Sequence, residues 1–433
     1  MLQITISEYG YIGCDNISTI NDKFVGNRDL TPTLFQELYD FWLSDEESQK
    51  VLTFVNKKCL KAKNYVGVIQ TANITIEILP KIYDGQKEKE SRDIFIKMLK
   101  PLLNINEIQL NRADLSTTKN RNIYEIFITM FIEYVDKLIH KGIKSQYLEK
   151  EENQHFLKGK LQFNQHIKKN YIHKERFYVQ FDEYLPNRAE NRVIKSTISL
   201  LLTKTKDHNN RKSLRQQLFI FDEVNLSTNY ETDIKRVNLH RGMEYYDMPI
   251  RFAKLFLTHN SFSSLRGKEN VFALLFPMQT VFEKYMEFVL ENSKEKLGIQ
   301  QVLINGGRDE YFLSNGACKM TNLNPDYLLK MKSGKDIITD AKWKILEEKD
   351  DTNKKCNKVS ITSNDVYQIF AYLNFYDCRD TAYLFVPKIE NEIVLNYNMT
   401  NKKIKIIPID LVNLVKNHKA QKEWFVDGHN EVL

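Results

Sequence analysis

The chain is short of the residues that break or staple a fold. Its 433 residues hold 15 glycines and 9 prolines, too few for a fibrous or low-complexity protein. The five cysteines, Cys14, Cys59, Cys318, Cys356 and Cys378, are odd in number and scattered, without a CxxC pair or a Cys/His box. That excludes a disulfide scaffold and a zinc finger, and reduced thiols in a cytoplasm are expected. The strongest apolar run, Val271 to Met278, is far short of the ~20 residues that cross a bilayer, so no membrane span is expected. The opening MLQITISEYG lacks a basic n-region and a long apolar h-region, so no signal peptide is expected there. No GxxxxGK[ST] loop, no GxGxxG after a strand, no GxSxG elbow and no HExxH spacing occurs. These absences argue against a P-loop nucleotide site, a dinucleotide fold, an α/β-hydrolase and a zincin.

Charge of one sign is also lacking: 63 Lys+Arg stand against 56 Asp+Glu, a net +7. That permits a nucleic-acid partner without demanding one. What is present is apolar and aromatic material, 42% and 12% of residues, enough for real cores. The length predicts two or three domains, and the pattern predicts an α+β and α/β multidomain protein. Residues 1–105 read as a mixed, β-rich domain. It has a strand at Gln3–Glu8, a helix within Thr31–Val55, and a hairpin of Tyr65–Ile69 and Ile74–Leu79 with one buried and one wet face. Residues 106–262 read as mainly helical, with helices at Asn122–Lys141, Ala189–Lys204 and Leu214–Val224 and strand-like pieces at Phe156–Phe163 and Phe177–Phe181. Residues 263–433 alternate helices and strands as an α/β domain with a mixed sheet does.

The middle region holds dense basic stretches. Lys158, Lys160, Lys168, Lys169, Lys174 and Arg176 interleave with Phe163, His166, Tyr171 and His173. Cations meet phosphates and rings stack on bases, so Lys158, Lys160, Lys168, Lys169 and Arg176 are candidate nucleic-acid contacts. Solvated surface loops would look the same.

The chemistry concentrates further on. Asn324-Pro325-Asp326 opens one apolar run, Lys332-Ser333-Gly334-Lys335 forms a polar turn, and Ile337-Ile338-Thr339-Asp340-Ala341-Lys342 follows. A hairpin is predicted. Alternation puts Asp340 and Lys342 on one strand face and Ala341 on the other, and Asp326 reaches the same face in the natural register. An Asp–Lys pair on a strand is often a surface salt bridge worth ~0–1 kcal/mol. Here the carboxylate leaves a run that reads as buried, where charge is seldom placed without a metal or partner. Two carboxylates on one point suit a hard divalent cation such as Mg²⁺, which polarises a phosphodiester and activates water. On the helix predicted for Asp365–Phe375, Gln368 and Tyr372 stand at i and i+4, on one face. They are placed to touch a phosphate, or they are an exposed Gln and a buried Tyr. Glu283, on the helix predicted for Gln279–Leu297, is a further candidate ligand or a solvated acid.

These segments resemble a known family. Asn324-Pro325-Asp326 with Asp340-Ala341-Lys342-Trp343-Lys344 and Gln368-x-x-x-Tyr372 resembles the PD-(D/E)xK nuclease core in its RecB-type variant. Val66-Gly67-Val68-Ile69, Ile76–Ile82, Leu157–Leu161, Asp182-Glu183, Glu190–Lys195 and Phe282-Glu283 extend the likeness, in order, to the McrC family, the nuclease subunits of McrBC modification-dependent restriction systems. The resemblance implies a restriction-endonuclease-like core binding Mg²⁺, with Mn²⁺ as a substitute, through Asp326 and Asp340. The Ala341 carbonyl and Glu283 would be further ligands. It implies Lys342 as catalytic lysine and Gln368 and Tyr372 as supports for the phosphate. It also implies double-stranded DNA as substrate and a McrB-like AAA+ GTPase hexamer as partner, with the N-terminal domain docking into that ring and stimulating GTP hydrolysis. The family's pattern is departed from by a long polar insert, Glu347–Asn364. The rival readings are a non-catalytic adaptor between DNA and motor, and a stand-alone RecB-type repair nuclease.

Overall fold

A computed structural model describes residues 2–14, 28–44, 46–82, 88–103, 122–259, 272–307, 311–315, 318–344, 348–349, 358–359, 361–376, 378–387, 393–398, 400–420 and 422–425. The polypeptide divides into two compact units, Met1–Ile108 with Leu275–Leu433, and Gln109–Leu274. The first and last of the three segments read from the sequence therefore belong to one unit. Most of the polar insert at 347–364 lies outside the described residues. Among the described residues no helix is long and apolar enough to cross a membrane.

The first unit begins with β1 (Leu2–Ser7), β2 (Tyr65–Gln70) and β3 (Ile74–Leu79). The expected hairpin is present, with β2 antiparallel to β3 and Gln70 opposite Thr75, and β1 adds parallel to β3. The expected wet face of β3 is absent. All six of its residues are buried, Glu77 fully. Its carboxylate accepts from Arg92 Nε at 2.9 Å on the helix α1 (Glu88–Leu102). A charge on a strand face reads as solvated until its partner is known, and that partner sits on a helix whose opening EKESR carries no apolar stripe. The segment read as one helix over Thr31–Val55 splits into helices Pro32–Ser44 and Glu46–Val51 and a strand Leu52–Asn56.

The chain re-enters this unit through β4 (Phe272–Pro277), the outer neighbour of β2, and runs directly into α2 (Met278–Asn292). Val281, Phe282, Tyr285, Met286, Val289 and Leu290 form the buried face of α2, at the spacing of an amphipathic helix. A six-stranded mixed sheet follows: β5 (Ile299–Ile304), β6 (Tyr327–Met331), β7 (Ile337–Ala341), β8 (Thr381–Val386), β9 (Ile393–Asn396) and β10 (Lys403–Pro408), in the order β5-β6-β7-β8-β10-β9. The predicted hairpin is β6–β7, antiparallel, and β7, β8 and β10 run parallel. Its turn uses Gly334 at φ +129, a conformation that favours glycine. The helix α3 (Ser363–Phe375) is capped by Thr362 and Asp365 in a capping box. It packs Ile369, Tyr372 and Leu373 on Leu328, Ile338, Leu384 and Ile406 of the sheet.

In the second unit the helix Ile123–Lys141 is capped by Asn122 and ends at Gly142, φ 95, as expected. Its Phe127 and Phe131 meet Phe252 and Phe256 of a helix over Asp247–His259. The piece read as strand at Phe156–Phe163 is strand only at Lys160–Leu161, and Phe163 opens a helix to Asn170. The longest strands of this unit are Phe177–Leu185 and its antiparallel partner Gln146–Gln154. The latter is mostly polar and offered no alternation to read.

One buried acid ties the ends of the first unit together. Glu8, just past β1, accepts the Trp343 indole N–H at 3.0 and 2.9 Å and the Lys81 backbone N–H at 3.0 Å. Burial lifts its carboxyl to about 7, against the lowering effect of the Lys81 N–H and the Trp343 indole. The native state then holds a proton the unfolded chain has released, so this contribution to stability falls as pH rises from about 4.5 to about 7. Glu8→Gln keeps an acceptor oxygen and removes that dependence. Its melting temperature relative to the unsubstituted protein is expected to rise between pH 5 and 8, by the equivalent of about 3 kcal/mol. A pH-independent difference between the two would contradict this placement of Glu8.

Candidate active site

The hairpin register decides where the acids meet. Tyr327 faces Thr339 and Leu328 faces Ile338 across β6–β7, so one step further Asp326 faces Asp340. Directly opposed side chains in an antiparallel pair have Cβ atoms about 5 Å apart. Asp326 Oδ2 accepts the Ala341 N–H at 2.8 Å. Asp340 is 1% exposed, and beyond the Lys342 ammonium neither of its oxygens has a hydrogen-bond partner among the described residues. The charge beside it is Lys342, with Nζ 2.8 Å from Asp340 Oδ2. The Lys342 N–H still bonds to Phe385 O of β8 at 2.9 Å, so the strand alternation runs through the lysine and keeps both side chains on one face.

Burial first, and then the Asp340 charge, push the Asp326 carboxyl well above the usual carboxylate range. Burial works against the Lys342 ammonium, but the Asp340 charge and contact outweigh it and raise its pKa. The site therefore presents an aspartate pair in which Asp326 favours its neutral form until a cation joins it, beside a firmly protonated lysine.

The turn that delivers Asp326 is pinned from several sides. Tyr372 donates its hydroxyl to Asn324 O at 2.9 Å, Tyr376 to Leu323 O at 2.7 Å, and the Asn305 N–H to Asp326 O at 3.1 Å. Gly306, at φ +71, passes so close that a Cβ would stand 2.2 Å from the Tyr376 hydroxyl and 3.0 Å from Pro325 Cδ. Its pairing with Gly307 reads as a loop in the sequence, and its role is this close approach. Gln368 is exposed and donates Nε2 to the Tyr372 hydroxyl at 2.6 Å. The hydroxyl proton of Tyr372 is spent on the Asn324 carbonyl, so Tyr372 holds the Asp326 turn.

Glu283, on α2, accepts from Gln279 Nε2 at 2.6 Å, and burial raises its carboxyl. Among the described residues no three His, Cys, Asp or Glu side chains are placed to hold one ion. Glu283 is turned to Gln279, and the acid set is the aspartate pair. That pair fits a hard divalent cation: two buried, opposed acids share one ammonium, which cannot compensate both once they ionise, and Mg²⁺ is commonly held by one or two carboxylates plus water and phosphate oxygens. The sequence reading passed over Gln279, Tyr327, Trp343 and Glu8. Gln279 had a signal, its i, i+4 spacing to Glu283. Tyr327, whose hydroxyl donates to Glu283 O at 2.5 Å, had none.

The family described as McrBC 5-methylcytosine restriction system component matches residues 60–387. The chain belongs to that family. A solved structure described as a half-complex of Thermococcus gammatolerans McrB AAA+ hexamers with bound McrC aligns with 96% of this chain and 99% of that chain, at 20% identity and a TM-score of 0.65. The cryo-EM structure of the McrBC complex from the same organism aligns with 67% of this chain and 87% of that one, at 24% identity and a TM-score of 0.47. The first likeness extends over the whole McrC-type fold. No match was found among curated proteins.

The basic residues of this McrBC-family chain do not gather into one footprint. Lys158 lies over the Phe181 ring and Lys169 over the Tyr178 ring, each at 4.1 Å. Tyr178 and Phe181 have opposite parity on the strand Phe177–Leu185, so the two lysines cover opposite faces of the small sheet. Lys160 and Lys168 are exposed, and Arg176 lies 3.7 Å from Glu175.

Burial and the Asp340 charge make ionising Asp326 costly until a cation joins the pair. Asp326→Asn keeps an oxygen for the Ala341 N–H and removes that cost. It is expected to melt at or above the temperature of the unsubstituted chain in metal-free buffer, and to lose the stabilisation that Mn²⁺ gives the latter. Equal Mn²⁺-induced shifts in both proteins would contradict the site.

Proposed function

We propose that the chain is the Mg²⁺-dependent DNA endonuclease subunit of a McrBC-type restriction system, built on a PD-(D/E)xK core. In this reading it cuts double-stranded DNA when assembled with a McrB-like AAA+ GTPase hexamer, whose GTP hydrolysis it stimulates. One observation carries the reading: the buried Asp340 carboxylate faces Asp326 and has the Lys342 ammonium 2.8 Å away as its charged partner.

When bound, the divalent ion supplies a polarised phosphodiester oxygen and an acidified water. Asp326 and Asp340 hold it, and the Ala341 carbonyl next to them is the further oxygen the chain offers. Mn²⁺ suits the same oxygen ligands. Lys342 stays cationic beside Asp340, so it acts as a hydrogen-bond donor that orients the attacking water or a phosphate oxygen. Gln368, exposed on α3, uses its second amide N–H on the substrate backbone, and Tyr372 keeps the turn and Gln368 in place.

The partner follows from two supports. The absence of a P-loop in the sequence agrees with a partner supplying the motor, and the whole-length fold likeness is to a chain from a structure described as McrB hexamers with bound McrC. A non-catalytic adaptor gives no reason to bury two opposed acids beside a single lysine at the cost of stability.

Lys342→Ala and Asp340→Ala are each expected to lower DNA cleavage, assayed with Mg²⁺, GTP and the GTPase partner, by on the order of a hundredfold or more. Both should still co-elute with the partner. Cleavage by either variant at the unsubstituted rate would sink the assignment.

A further inference from the structure

We infer that Gln279 is a positioning residue for the metal-binding pair, and that its orientation is set from the N-terminal sheet through Trp343 and Glu8. The inference rests on the nuclease reading above and concerns the control of that same site.

The Gln279 carboxamide is used on both sides. Its Oε1 accepts the Trp343 backbone N–H at 2.8 Å, and its Nε2 donates to Ala341 O at 2.6 Å and to Glu283 Oε1 at 2.6 Å. Only one orientation satisfies these partners. A flipped amide would set its NH₂ against the Trp343 N–H, and its oxygen against a carbonyl and a carboxylate. The amide thus clamps the backbone on both sides of Lys342, and it directs the Ala341 carbonyl and the Glu283 carboxylate together. Trp343 is itself fixed. It is 6% exposed, its ring packs on Phe282 with centroids 5.5 Å apart, and its indole reaches both oxygens of Glu8. Glu8 is held in turn by the Lys81 N–H just beyond β3. A continuous chain of hydrogen bonds therefore runs from the ends of β1 and β3 to the strand that carries Asp340 and Lys342. Groups that orient metal ligands from behind are worth about 10–100-fold in metal affinity.

The test is Mn²⁺ titration by calorimetry on the full chain, with circular dichroism to confirm folding. Gln279→Met preserves length and apolar volume without the hydrogen bonds, and Gln279→Asn is too short to reach all three partners. Both are expected to weaken the Mn²⁺ Kd on the order of tenfold. Trp343→Phe, which keeps a ring against Phe282, and Glu8→Ala should weaken it in the same direction, and Glu8→Gln, with its acceptor intact, should bind as the unsubstituted chain does. In cleavage assays the Mg²⁺ concentration for half-maximal rate should rise by the same factor. A purely structural role would lower the saturated rate or the fraction folded and would not move the metal titration. Folded Gln279→Met and Gln279→Asn that bind Mn²⁺ with the unsubstituted Kd overturn the inference alone. An unsubstituted chain that binds Mn²⁺ no better than Asp340→Asn overturns the nuclease reading, and the inference with it.

Discussion

Two carboxylates brought face to face across one antiparallel hairpin are the constraint on which the rest of the first unit depends. Left to themselves, Asp326 and Asp340 would part. Burial withdraws the water that would screen them, and each charge raises the cost of the other. The hairpin register opposes them, the Tyr372, Tyr376 and Asn305 hydrogen bonds fix the incoming turn, and the Lys342 ammonium, paired with Asp340, offsets only part of their charge. The fold holds an arrangement that is poor for its own stability, as binding and catalytic sites commonly do.

The surrounding elements make sense in that light. The strand β7 is buried on both faces, with α3 packed on one of them through Ile338, so its carboxylate has little room to swing away. The helix α2 supplies Gln279 and Glu283, and its backbone takes the Tyr327 hydroxyl. The N-terminal segment belongs to the same unit and reaches the active strand through Glu8 and Trp343. It is thus part of what shapes the site as well as the region a partner-docking role would involve, and an event at that segment has a short, buried route to the strand that carries Asp340.

Much of this could be read in the chain before the structure was in hand, for local reasons. The Asp326–Asp340 apposition follows from alternation plus a tight turn at Gly334, both of which act over a few residues. The helix bearing Gln368 and Tyr372 carries its own start signal in Thr362 and Asp365. The parts that were not legible depend on distant partners. Glu77 reads as a wet strand position until Arg92 is found opposite it, and the Trp343–Glu8 contact spans 335 positions of sequence. The strand Gln146–Gln154 was missed because its polar residues show no period of two. The basic stretch of the middle region was legible as composition only; the faces on which Lys158 and Lys169 fall are decided by the rings they cover, Phe181 and Tyr178.

The central claim is that Asp326 and Asp340 together grip one divalent cation. Anomalous diffraction from crystals equilibrated with Mn²⁺ addresses it most directly. The account requires a peak between the two carboxylates, within coordination distance of both and next to the Ala341 carbonyl. Mn²⁺ bound elsewhere, or an Asp340 side chain turned away from an empty gap at saturating Mn²⁺, would contradict it.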